Sequence, residues 1–140
     1  DPAKTISSMH DKWSDFHEGE LGFPEQRALF DLLWALSGTV PPVIDSDDLL
    51  ERPVELTRAF CDAVDIPFIK DALSWEQGGD PAAQRWCDGG SFHRNLARSS
   101  GLTPQSRKYV EIADCPPRVQ QVHRRMKPHY DRLHRFRVTL

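Results

Sequence analysis

The chain has 140 residues, of which 39% are hydrophobic and 28% charged, with a formal net charge of −3; these are the values of a folded globular chain and exclude a disordered or fibrous one. No apolar run approaches the roughly 20 residues of a membrane helix, and no charged start leads into an apolar stretch, so a cytoplasmic protein with no membrane partner is expected. The three cysteines, Cys61, Cys87 and Cys115, are odd in number and widely spaced with no CxxC pair, so neither a disulfide framework nor a zinc site nor any other metal is expected.

Asp1-Pro2 followed by residues 3–16 predicts a helix, with Asp1 as N-cap, proline in the first turn, and Ile6, Met9 and Trp13 at helical spacing. Gly19 and Gly22 end that region. A second helix starts near Pro24 and stops at Ser37-Gly38, with Leu29, Leu32, Leu33 and Leu36 as the face expected in the core. Val40 to Ile44 is the one good strand candidate, ending in the polar cluster Asp45-Ser46-Asp47-Asp48. A lone strand leaves its backbone groups unpaired, so its partners are expected from outside this sequence.

Pro53 opens a third helix that presents Leu56, Phe60, Ala63 and Val64 and ends before Ile66-Pro67. A short helix is expected within residues 68–75, a loop over 76–80, and another helix over 91–99, with 104–112 ambiguous. The last helix begins near Pro116-Pro117, carries the stripe Val119, Val122, Met126, Tyr130 and Leu133, and is expected to kink at Pro128. The order helix, helix, strand, helix fits a crossover piece of an α/β layer.

The opening Asp1-Pro2-Ala3-Lys4-Thr5-Ile6-Ser7-Ser8 resembles the 3′-phosphate-binding segment of sulfotransferases that use 3′-phosphoadenosine 5′-phosphosulfate. In that pattern an Arg-[Asp/Asn]-Pro at a strand end leads into a helix whose Ser lies eight residues after the Arg. The Arg would stand just before Asp1, and the matching serine is Ser8. A guanidinium and a hydroxyl brought together by a strand-to-helix turn suit a phosphate, which a helix N-terminus also favours. A second match runs from Val43-Ile44-Asp45-Ser46-Asp47-Asp48-Leu49-Leu50 through Pro53 to Ile66-Pro67 and is similar to the family's "Tyr-Glu-Asp-Leu" turn and following helix. Trp86 and residues 91–103 resemble, less closely, the Trp and Ser-Thr-Gly-Phe region of bacterial members.

The resemblance implies that residues 1–140 are the C-terminal portion of one P-loop-like, three-layer α/β domain, mostly helical with one or two strands. The loop for the reactive end of the donor, and the family's catalytic His or Glu, would then lie upstream of Asp1, so no catalytic residue is named and the chain alone is expected to be inactive. The intact protein would transfer a sulfuryl group from 3′-phosphoadenosine 5′-phosphosulfate to a hydroxyl or amine of a small-molecule acceptor. The family's late Arg-Lys-Gly loop is absent; Arg85 and Arg94, each beside an aromatic residue, are candidates to reach a nucleotide phosphate in its place.

Other readings compete. Asp45, Asp47 and Asp48 could share a cation, but a strand-ending turn whose carboxylates cap the next segment is the expected role. The six histidines form no ligand-spaced motif, although His93 could serve in catalysis. Residues 116–140 hold seven Lys and Arg against Asp131, a net of +6, which leaves −9 for residues 1–115. The apolar stripe through the same helix favours packing over nucleic-acid binding, so an acidic intramolecular neighbour, the anionic donor or plain solvent is the expected partner of these charges. The rival to the enzyme reading is a non-catalytic helical protein-interaction module.

Overall fold

The computed structural model describes residues 1–78, 98–104 and 109–140. Their α-helices are α1 (Pro2–Lys12), α2 (Phe23–Ser37), α3 (Ser46–Glu51), α4 (Pro53–Ala63) and α5 (Pro117–His134). Among the described residues there is no strand, only two isolated bridges, and no helix is long and apolar enough to cross a membrane. The expected helix over 91–99 and the ambiguous stretch 104–112 fall partly outside the described residues.

The chain divides into two units. The first contains Asp1–Asp47 and the C-terminal helix. Its core is one cluster in which Ile6 of α1, Phe16, Leu21 and Phe23 share burial with Cys115, Val119, Val122 and Met126. The stripe expected of the last helix is therefore the core seam, and α5 runs on through Pro128 without ending there.

The helix ends follow local chemistry. Asp1 Oδ1 accepts from the Ala3 N–H at 2.7 Å, and Pro2 occupies the first turn, where its missing N–H costs nothing. α2 stops at Gly38, whose φ of 70° is left-handed and free of strain only without a Cβ.

Three expectations are corrected, two in the first unit and one in the second. The leucine face of α2 is not core: Leu36 is 76% exposed, and Leu29, Leu32 and Leu33 are about half exposed. α2 has a second apolar stripe, Phe30 and Trp34, and these larger rings win the interior by packing with Phe136 at centroid distances of 5.3 Å each. Nor is Val40 to Ile44 a strand. Pro41 and Pro42 carry no N–H for a ladder, and the segment makes a single parallel bridge of Val43 to Arg137, with Val138 N–H donating to Val43 O at 2.9 Å. Its partner is thus the chain's own C-terminal segment.

The second unit contains α4, which buries Leu56 and Cys61 but leaves Ala63 and Val64 exposed and Phe60 only half-buried, so the face read from sequence is rotated. Residues 68–75 hold a 3-10 turn, Lys70–Leu73, and Ser74 bridges antiparallel to Gly101. A Cβ on Gly101 would stand 3.1 Å from the Leu73 carbonyl oxygen, which accounts for glycine there.

Ile6→Ala should cost about 2 to 5 kcal/mol in denaturant unfolding, because it empties a fully buried site. Leu36→Ala should fall within about 0.5 kcal/mol. His123 on α5 is held below its ordinary 6.5, first by burial and then by Lys127. The unfolded chain therefore takes up a proton at this residue that the folded chain refuses, and the associated stability is lost as pH falls through 6.5 toward the lower folded value. His123→Gln should flatten the fall in melting temperature between neutral and mildly acidic pH.

Candidate functional site

The rotation of α1 decides which of its side chains meet solvent. Ile6 is fully buried, and Ser7 is buried beside it, its Oγ accepting from the Val110 N–H at 3.1 Å. Ser7 is thereby a structural tether, whereas Ser8 is half-buried. Thr5 lies one turn before Ser8 by i,i+3 spacing and Lys4 by i,i+4 spacing, so Lys4, Thr5 and Ser8 share one stripe of α1.

Lys4 Nζ donates to Asp47 Oδ2 at 2.7 Å, and this bond raises the lysine's pKa above its usual value. Asp47 is positioned in turn: its N–H donates to Asp45 Oδ1 at 2.9 Å, and the Tyr130 hydroxyl donates to Asp45 Oδ2 at 2.8 Å. Burial and then the Asp45 carboxylate push the Tyr130 phenol well above its ordinary pKa, and its ring stacks on His134 at 5.0 Å. Asp45 thus has the turn-forming role expected from sequence. Among the described residues no group of His, Cys, Asp and Glu is placed to hold a metal ion.

A cleft of about 280 Å³ opens beside this network, with Asp1 and Thr5 of α1, Phe23 and Gln26 of α2, Asp45, and Tyr130 and His134 of α5 in its walls. Among the described residues its walls hold the Asp1 and Asp45 carboxylates and no Lys or Arg, a lining that does not favour a phosphate. The helix N-terminus is also weaker as an anion site than the sequence suggests, since Asp1's own carboxylate takes the Ala3 N–H and Thr5's hydroxyl donates to Asp1 O at 3.2 Å.

Arg85, Arg94 and His93 lie outside the described residues. Sequence reasoning missed the Tyr130–Asp45 and Lys4–Asp47 contacts. Tyr130 reads only as part of an apolar stripe, and the partners are 85 and 43 residues apart.

A family model described as "Sulfotransferase domain" matches residues 1–115, which include both the Ser8 helix and the Asp45 turn. The chain belongs to this sulfotransferase domain family. It is also similar to two proteins of Arabidopsis thaliana, branched-chain-amino-acid aminotransferase-like protein 2, at 34% identity over 64% of this chain, and protein 1, at 32% over 60%. The chain spans about 15% of the length of each of these curated relatives. No solved structure matches this sulfotransferase domain.

Tyr130→Phe should cost about 1 to 3 kcal/mol, because it removes the phenol donor from a carboxylate that is only 8% exposed. Urea unfolding at neutral pH measures it.

Proposed function

We propose that the protein carrying this domain is a sulfotransferase whose Ser8 contacts the 3′-phosphate of 3′-phosphoadenosine 5′-phosphosulfate. The fold we propose for the complete domain is P-loop-like and three-layered, with residues 1–140 as its C-terminal portion. The acceptor would be a hydroxyl or amine of a small cytoplasmic molecule. When bound, the donor supplies the sulfuryl group and leaves as adenosine 3′,5′-bisphosphate. The residues present suit its far phosphate: Ser8 offers a hydroxyl and Lys4 an ammonium on one stripe, outside the acidic cleft.

The observation that carries this reading is the division of labour between adjacent serines. Ser7 is 4% exposed and tied to Val110, whereas Ser8, the next residue, is only half-buried. Anchoring the far phosphate holds the nucleotide in register while other groups align the transferring sulfur with the acceptor, and such positioning is the larger part of this kind of catalysis. Arg85 and Arg94 are proposed, on their chemistry, as further phosphate contacts.

A nucleic-acid partner is disfavoured because arginines of the basic segment are used internally. Arg118 donates to Phe16 O at 2.9 Å and Ser14 O at 2.8 Å, and Arg125 meets Glu18 at 2.7 Å. The second reading, a non-catalytic helical interaction module, draws on the exposed leucine face of α2.

Ser8→Ala in the full-length protein should weaken binding of adenosine 3′,5′-bisphosphate about ten- to a hundred-fold, corresponding to about 1.5 to 3 kcal/mol for a charge-assisted hydrogen bond. Calorimetric titration beside a circular-dichroism control measures it. Unchanged affinity removes Ser8 from the site, and absence of nucleotide binding in the parent protein favours the interaction module.

A further inference from the structure

We propose that Lys4 is a second ligand to the anion that Ser8 binds, and that Asp47 is its resting counter-ion, exchanged for the phosphate on binding. The inference rests on the Ser8 reading above and adds to it a specificity-determining residue and a competition built into the apo site.

Lys4 and Ser8 are four residues apart on a helix of eleven, so their side chains rise from neighbouring points of one stripe and can converge on a single group. The ammonium does not wander over that surface. It is drawn to one place by Asp47 at 2.7 Å, and Asp47 is itself anchored through its backbone N–H to Asp45, which Tyr130 holds. The cation is thus presented by a relay from α5 through the turn before α3 to α1, all within the first unit.

The pair is nevertheless easy to part. The two side chains are 46% and 40% exposed, and ion pairs in that setting are worth little because water and salt screen them. A phosphate bearing about two charges and several acceptor oxygens outcompetes a single solvated carboxylate for the same ammonium. When Lys4 turns to the phosphate, Asp47 keeps its backbone bond to Asp45, so the exchange disturbs nothing beneath it.

This arrangement makes the two halves of one ion pair act with opposite sign on binding. In the full-length protein titrated with adenosine 3′,5′-bisphosphate, Lys4→Met should weaken binding about tenfold and reduce its dependence on salt concentration, with Lys4→Arg retaining most of the affinity. Asp47→Asn should tighten binding about two- to fivefold by releasing the lysine, and the gain should vanish in the Lys4→Met, Asp47→Asn double variant. Lys127→Met, which breaks another exposed Lys–Asp pair on α5 rather than on the α1 stripe, is the control for general surface electrostatics and should change affinity less than about twofold, the scale of screened charges.

Loss of affinity in both Lys4→Met and Asp47→Asn overturns the proposal, since the pair would then be only a brace for α1. An effect of Lys127→Met as large as that of Lys4→Met overturns it as well. If Ser8→Ala weakens binding and Lys4→Met does not, this inference falls and the Ser8 reading stands. If Ser8→Ala changes nothing, both fall together.

Discussion

The packing of α1 on α5 is the constraint that organises the rest of the first unit. Ile6 shares one buried cluster with Val119, Val122 and Met126, and a helix whose central side chain is locked in this way has its rotation settled. Ser7 can then meet Val110. The same contact sets Asp1 and Thr5 across from Tyr130 and His134, forming two walls of the cleft. A cavity at Ile6 would therefore loosen the rest of α1 as well as the core.

Part of the charge segregation along the sequence is met inside the first unit. The segment after Pro116 is basic and the chain before it acidic, and the fold brings opposite signs together: Arg125 with Glu18, and Arg132 with Asp31 at 3.7 Å. Arg132 also lies over the Phe136 ring at 4.8 Å, so its charge joins the aromatic contact between α2 and the C-terminal segment. None of these pairs is deeply buried, and each is individually weak in salt. Their combined effect is orientation, which suits a helix whose apolar seam already supplies the adhesion.

The features legible in the amino-acid order were those that short-range chemistry decides. The Asp1 cap with Pro2, the Gly38 stop, and the prolines at the starts of α4 and α5 each act within a few residues, and each appears where expected. The family itself was legible because the resemblance rested on local patterns, and the chain does belong to it. Competition between two apolar stripes was not legible. α2 offered leucines on one side and Phe30 with Trp34 on the other, and only the position of Phe136 decides between them. Lys4 with Asp47 and Tyr130 with Asp45 escaped for a related reason: polar partners dozens of residues apart leave no periodic trace.

The tether between Ser7 and Val110 closes a loop of 103 residues, and the apolar seam of α1 waits for α5, which is made later still. At synthesis rates of roughly 5 to 20 residues per second, α1 leaves the ribosome several seconds before its partner exists. An 11-residue helix is marginal on its own in water, so during that interval its apolar side chains are exposed and its backbone is only transiently helical. The surface that carries Ser8 is thus made well before it can acquire its shape. Ribosome-stalled chains ending before α5 would present that segment to chaperones and proteases, and the arrival of Val119 would mark the moment it disappears from their reach.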